Sequence, residues 1–482
     1  MRTLTNYLYN LSYQVLAFIL PLLTTPYISR VLGADGIGQY AYVYTMSTYF
    51  INFGIMGLSV YGSREIARLE GDPEAQRYTL WEITVLKAIL LFIAIAVYVG
   101  YIGLTVHETR SLYWIHLILF FAYIIDVTWL FQGKTQFKLI ATRNCIVKLA
   151  SVALIFLCVH QKNDLWVYAA ISCGSVLFGN AFLLLDKRFR TMLRWAKPRL
   201  AKMTMHFRRT MYFAIPVIAG VFYSSFGKVV IGSIVGDTQL GLFQSADNLV
   251  RTSFTVITAL TSVLLPKMTQ MNVSAPKEEL RKTNDKLLAA VCMIACPMAT
   301  GIMSVSRTLV PWFFGKGFEE VTVFLQLEAP VLVLMSIETA WVNAFLLASR
   351  REKSVTIVTT IATLLHVALN CFLVVLLGTK GAIYALLLTE GLLAVVTGWQ
   401  SREDFSAKNF FSGLFRYLLL ASIMGAVVFW VGLRLPQTIA TTGLLIVLGC
   451  AVYGVSLVLI RDPNVIYLLK QIFGKGAINR GQ

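Results

Sequence analysis

Apolar runs of about twenty residues, separated by short polar stretches, fill almost the whole chain. The run ITVLKAILLFIAIAVYVGYIGL (83–104) carries a single charge. About twenty apolar residues is the length at which a helix crosses a bilayer with its backbone hydrogen bonds closed internally. Barrel strands would be roughly half as long and would alternate. The pattern therefore predicts an all-α polytopic membrane protein. Spans are expected at 11–31, 39–60, 80–103, 111–131, 141–159, 165–185, 211–235, 239–265, 287–305, 322–348, 354–377, 381–399, 413–433 and 440–460, about fourteen transmembrane helices.

Composition agrees. The 482 residues are 57% hydrophobic and 14% charged, with a mean hydropathy of +0.70; a soluble domain carries about 25% charged residues. MRTLTNYLYN runs straight into the first span without a small-residue cleavage site, so an uncleaved first helix is expected. The seven cysteines show no C-x-x-C spacing. Cys292 and Cys296, one helical turn apart, read as packing residues.

Lysine and arginine set the orientation. With residues at span ends counted in the adjoining connection, 31 of the 42 fall at the N-terminus, in every second connection and in the tail; seven fall in the other connections and four inside spans. This asymmetry supports the span count and puts both termini in the cytoplasm. It also accounts for the net charge of +18 as an orientation signal and a contact with anionic membrane lipids. The cations are scattered over eight short segments, which argues against nucleic acid as a partner. The longest connection, DKRFRTMLRWAKPRLAKMTMHFRRT (186–210), holds nine of them. It reads as a basic cytoplasmic linker, with a helix lying on the membrane surface as one form it could take.

On either side of that linker the sequence repeats. VLGADGIGQY (31–40) follows span one and IVGDTQLGLF (234–243) follows span seven, so Gly33, Gly38 and Tyr40 match Gly236, Gly241 and Phe243 at an offset of 203. Asp35 and Asp237 follow the first glycine of each copy, and a weaker echo, LGTKGAIYA, runs over 377–385. A tight turn alone would produce such a pattern. Its place at the first turn of two six-span blocks favours a duplicated transporter. The expected organisation is two pseudo-symmetric six-helix lobes plus two C-terminal helices: an N-terminal lobe (1–185), the linker (186–210), a C-terminal lobe (211–399), and two extra helices with a cytoplasmic tail (400–482).

The stretch LPLLTTPYISRVLGADGIGQYAY (20–42), the SREIARL after span two (63–69) and the two matched halves resemble the multidrug/oligosaccharidyl-lipid/polysaccharide (MOP) exporter superfamily. Within it they resemble the polysaccharide transporter branch, the Wzx-type O-antigen and capsule repeat-unit flippases. The resemblance implies a multi-pass protein of the bacterial cytoplasmic membrane. Such a protein moves undecaprenyl-diphosphate-linked oligosaccharide from the cytoplasmic to the outer leaflet by alternating access, for surface polysaccharide biosynthesis. A polysaccharide polymerase and chain-length machinery would be its partners. The peptidoglycan-precursor (lipid II) flippases and small-molecule or drug antiporters on the same fold are the alternatives.

Charge inside the membrane costs about 2.5–3.5 kcal/mol per residue at mid-bilayer, so each buried charge asks for a reason. Lys228 and Arg251 lie in spans seven and eight, beside the second repeated turn, and Arg30 at the outer end of span one. The resemblance implies that these three meet the substrate diphosphate, for which arginine's planar fork is suited. Asp247, four residues before Arg251, shares its helix face and can pair with it. Arg30 at the interface and Asp247–Arg251 as a self-neutralised structural pair are the plainer readings. Lys87 reads as reaching the cytoplasmic interface, and Lys148 as pairing with Asp126. Glu338, His366 and Glu390, with Asp126 and Lys148, are candidates for coupling to a proton or sodium gradient; His366 shares a face with Asn370, and a packing role is its plainer reading. Tyr40, Tyr42 and Tyr44 fan around span two as interfacial anchors or sugar-stacking rings.

An enzyme is the third class. Glu319 and Glu320 are adjacent in the longest external connection and would point about 100° apart on a helix, a poor catalytic pair. The sequence contains no Walker A run, no G-x-S-x-G and no metal-ligand cluster. No catalytic residue, metal or cofactor is expected.

Overall fold

The computed structural model describes residues 2–186, 192–274 and 276–462 together with Asn464; side chains are described for 19–186 and 192–258 of the first two stretches. The described residues form helices and no strand. In chain order they are α1 (Arg2–Ile55), α2 (Leu58–Arg68), α3 (Pro73–Thr105), α4 (Arg110–Ile124), α5 (Thr128–Gly133), α6 (Phe137–Cys158), α7 (Leu165–Leu184), α8 (Leu200–Ile234), α9 (Asp237–Ser274), α10 (Lys277–Phe313), α11 (Val321–Ala340), α12 (Glu352–Leu377), α13 (Thr379–Gln400), α14 (Ala407–Gly432) and α15 (Ile439–Leu459). Eleven of the expected spans appear as helices long and apolar enough to cross a membrane; the other three, spans one, two and eight, fall in α1 and α9. The chain is a multi-pass, all-helical membrane protein.

It packs as two compact units, residues 1–244 with 363–379, and 245–362 with 380–482. In the first, the core joins α1 to α7 through Leu80, Ile83, Tyr98, Phe120, Trp129 and Phe131. Gly62 lets α2 lie on the Trp129 ring, whose Cε3 would stand 2.6 Å from a Cβ there. In the second, α10 is central and packs on α11 and α14. Cys292 and Cys296 are buried on α10 as free thiols, as their spacing suggested.

Helix ends follow local chemistry. The Asp72 carboxylate accepts from the Ala75 amide at 2.9 Å, with Pro73 in the first helical position of α3. Thr438 caps α15 in the same way through the Thr441 amide. Within the spans, breaks appear that hydropathy does not announce. α1 is two helices merged across Gly33, whose φ of 71° and ψ of 176° are non-helical. Span two ends early at Met56 and Gly57, both with positive φ. Span four is split into α4 and α5, and span ten finishes in a π-helical turn over Trp341–Leu347.

The basic linker differs from expectation. Residues 192–199 form no helix, and 200–210 are the first turns of α8; residues 187–191 and the tail after 464 lie outside the described residues. The linker is tied down. Trp81 donates its indole N–H to the Arg194 carbonyl at 2.8 Å, and Arg199 donates to the buried Glu82 carboxylate at 2.7 Å. His206 on α8 bridges Tyr61 (2.7 Å) and Glu82 (3.2 Å). With Nε2 protonated it donates to the carboxylate and accepts from the phenol.

Gly57 tests how α1 is held against α8. Its φ is 80°, and a Cβ there would lie 2.9 Å from the Phe213 carbonyl oxygen, whereas Gly71, also at positive φ, faces open space. Gly71→Ala should lower stability by about 1–2 kcal/mol through φ alone. Gly57→Ala should lower it further, read as the thermal midpoint of the purified protein in detergent. Equal midpoints would show that the Phe213 contact contributes nothing.

Candidate functional site

The repeated turn is built from glycine. Gly33 and Gly236 both take positive φ, 71° and 110°, where an L side chain is strained, and Gly378 in the weaker echo takes 59°. Each glycine breaks the helix, and a new helical segment follows it. The first turns of the helices after Gly33 and Gly236 then lie directly against each other. A Cβ on Gly38 would stand 1.7 Å from the Asp237 carbonyl oxygen, and one on Gly241 would stand 1.8 Å from the Ala34 carbonyl oxygen. Ala34 and Asp237 are themselves 203 residues apart, so the sequence offset is a local two-fold in space. The Asp35 carboxylate is 3.5 Å from the Thr238 hydroxyl and accepts from the Gln39 amide at 3.0 Å. Burial, with Asp35 and Glu108 nearby, raises the Asp237 carboxyl above its ordinary value.

Two of the three cations proposed for the diphosphate belong to the first unit: Arg30, exposed on α1 three residues before the break, and Lys228, half-buried on α8. Arg251 belongs to the second unit. Its Nε donates to the Asp247 carboxylate at 2.5 Å, with the carboxylate buried and the arginine 34% exposed. The expected pair is therefore present, and it has company: Glu328 on α11 and Glu390 on α13 act on the same guanidinium. All three carboxylates are buried.

The tyrosines divide. Tyr40 and Tyr44, one turn apart, stack at 5.8 Å, and Tyr40 also meets Tyr168 edge-on at 4.8 Å and His116 at 5.6 Å. Tyr42 turns the other way and hydrogen-bonds Ser233 at 3.0 Å, beside Gly232, where a Cβ would meet its ring. Tyr44, 40% exposed, is the most exposed of the three.

The expected coupling residues are distributed over both units. In the first, Lys87 does not reach the interface: it is fully buried and donates to the Asp126 backbone carbonyl at 2.5 Å. The four-carbon stem of Lys87 crosses to the break between α4 and α5, where the carbonyl has lost its helical partner. The Asp126 carboxylate accepts from the Thr128 amide, so Lys87, not Lys148, is the lysine on Asp126; half-buried Lys148 lies near Cys145. His366 is buried, accepts an Asn370 amide N–H at 3.1 Å and packs on Tyr223 at 5.0 Å. In the second unit Glu338, just before the π-helical turn, and Glu390 act on each other. In the same unit α9, α10, α14 and α15 line an apolar cavity of about 470 Å³, with Leu249, Met293, Pro297, Met424, Gly449 and Tyr453 on its wall.

Sequence reasoning passed over Glu328, which looked like one more residue of an apolar span, and the Tyr61–His206–Glu82 chain, whose members are 21 and 124 residues apart. An acidic residue inside span ten was the available signal for the first.

A family model described as polysaccharide biosynthesis protein matches residues 3–272, more than half of the chain. A putative O-antigen transporter of Escherichia coli (strain K12) is 22% identical over 388 residues, covering 78% of this chain and 91% of that protein. A probable low-salt glycan biosynthesis flippase, Agl15, of Haloferax volcanii is 21% identical over 233 residues, 48% of this chain and 49% of that one. Among solved structures, the lipid II flippase MurJ in an inward closed conformation is similar with a TM-score of 0.75 at 13% identity, covering 95% of this chain and 99% of that one. At that identity the likeness is one of fold.

The raised Asp237 carboxyl gives the paired turns a pH dependence with a definite sign. The packed arrangement holds the Asp237 proton more tightly than an opened one, so packing is fully supported in acid. It weakens as pH rises through the raised value. Amide hydrogen exchange over 34–41 and 237–244, corrected for intrinsic rates, should therefore accelerate as pH is raised from about 4. Asp237→Asn should flatten that dependence, and an unchanged profile would remove Asp237 as its origin.

Proposed function

The chain belongs to the polysaccharide biosynthesis protein family, and on that premise we propose that it is a flippase, a transporter and not an enzyme, for polyprenyl-diphosphate-linked oligosaccharide. It moves these repeat units from the cytoplasmic to the outer leaflet of the bacterial cytoplasmic membrane, with both termini inside. A surface polysaccharide polymerase and its chain-length machinery take the product. The family match over the first half of the chain is the observation that carries this reading; membrane helices bearing cations beside a duplicated turn support it.

The substrate is amphipathic, and each part has a counterpart. The prenyl chain stays in lipid and in the apolar cavity among α9, α10, α14 and α15. Arg30 and Lys228 in the first unit, and Arg251 in the second, each offer a positive charge for a diphosphate, and Tyr44 offers a ring for a sugar to stack on. Arg251 also supplies the coupling. While it faces Asp247, Glu328 and Glu390, it supplies one positive charge to their surroundings. When it turns to the diphosphate they lose their counter-charge, and a buried carboxylate without one takes a proton. Substrate binding thereby drives proton uptake, with Glu338 beside Glu390 as the next acceptor. The alternating-access cycle is then driven by the proton gradient.

A cation-exporting antiporter is the competing reading, favoured by the acidic surroundings of Arg251. A strain lacking this chain separates them. Under the flippase reading, lipid-linked oligosaccharide accumulates in the cytoplasmic leaflet; accumulation of peptidoglycan precursor would place the chain with the lipid II flippases, and drug sensitivity without lipid accumulation would place it with the antiporters. In complementation, Arg251→Ala should insert normally yet lower surface polysaccharide at least about tenfold, the loss of one charge-assisted contact. Normal polymer yield from Arg251→Ala would remove this arginine from the site.

A further inference from the structure

The repeated turn does more than break the helix: we propose that Gly38 and Gly241 are the seal of the outer gate, where the first helix pair of each repeat closes over the transport path. The assignment rests on the flippase reading above. What closes the gate is backbone on backbone. The Gly38 Cβ position lies 1.7 Å from the Asp237 carbonyl oxygen, 2.6 Å from its carbon and 3.0 Å from the Gly241 nitrogen. The Gly241 position lies 1.8 Å from the Ala34 carbonyl oxygen, 2.7 Å from its carbon and 3.0 Å from the Gly38 nitrogen. These two sets are the same contact read from its two ends.

Each glycine thus turns the hydrogen that stands in place of a side chain onto the other helix's first-turn carbonyl. This is the Cα–H···O arrangement of closely packed helices, and small residues permit it in membrane helix pairs. Neither obstacle is a flexible side chain that could swing aside; both are helical backbone. An alanine at either position forbids this approach altogether, while leaving an arrangement with the two helices parted free of strain. The contact adds no charge and buries no ionic pair, so opening it leaves no unmatched charge behind. That suits a gate crossed once in every cycle.

The test reads the gate without substrate. In a full-length chain whose seven native cysteines are replaced by serine, Asp35→Cys and Thr238→Cys carry spin labels, because these side chains meet at 3.5 Å. The purified protein in lipid nanodiscs should show dipolar broadening in its continuous-wave spectrum. Adding Gly38→Ala or Gly241→Ala should abolish the broadening. Gly220→Ala on α8, where a Cβ meets nothing within 4 Å, should leave it intact. Broadening retained in both alanine variants overturns the proposal. Should those variants fail to insert, the cysteine pair decides without them: oxidised to a disulfide in cells, it should stop surface polysaccharide production, and reductant should restore it. Normal production with the disulfide formed, or no disulfide under oxidant, overturns the seal. Failure of the flippase reading looks different: the unsubstituted chain would then not restore polymer in a deletion strain, whatever the spectra show.

Discussion

A charge surrounded by hydrocarbon has to be answered by something nearby, and that requirement organises the inside of this protein. Lys87 reaches across its unit to a carbonyl stranded at a helix break. Arg251 stands among Asp247, Glu328 and Glu390. Glu82 is answered by Arg199 and His206, and Asp462, fully buried in the second unit, by Arg416 at 2.8 Å and the Tyr417 hydroxyl at 3.2 Å. These answers differ in kind. The Asp462 and Glu82 sets each tie a connecting residue, Asp462 or Arg199, to a helix. The Arg251 set has more negative than positive groups, a surplus that a proton would offset. A structural ion pair has no need of that surplus.

How much of this could be read from the chain alone varies with the range of the force responsible. The spans were legible because crossing hydrocarbon imposes a length and a composition on each segment separately. The pairing of Arg251 with Asp247 was legible for the same local reason, since four residues make one helical turn. The break between α4 and α5 was not: FFAYIIDVTWLF reads as continuous span, and what stabilises the opened backbone is Lys87, some forty residues earlier. The Lys87 stem therefore looked like a snorkelling side chain. The linker is a related case. Its nine cations suit a membrane surface, yet Trp81 and Glu82 on α3 hold part of it as irregular chain, and its last turns continue into α8.

The duplicated turn lies between these cases. Its glycines were visible as a pattern, and their positive φ follows from that pattern by elementary sterics. Their second use was hidden. Gly33 and Gly236 are glycine because of how their own backbone bends, whereas Gly38 and Gly241 are glycine because another backbone occupies the space. One spacing served two physical purposes, and only coordinates separate them.

That second purpose binds the history of the two copies. After a duplication, each copy is ordinarily free to drift, since a change in one can be absorbed by its own neighbours. Here the vacancy at Gly38 is filled by the backbone of the other copy, and the vacancy at Gly241 by the backbone of the first. A mutation that adds a methyl group to either cannot be compensated by any side-chain change, because the obstructing atoms belong to every amino acid alike. A hybrid that exchanges one repeat between relatives would therefore keep this contact only with glycine at both positions.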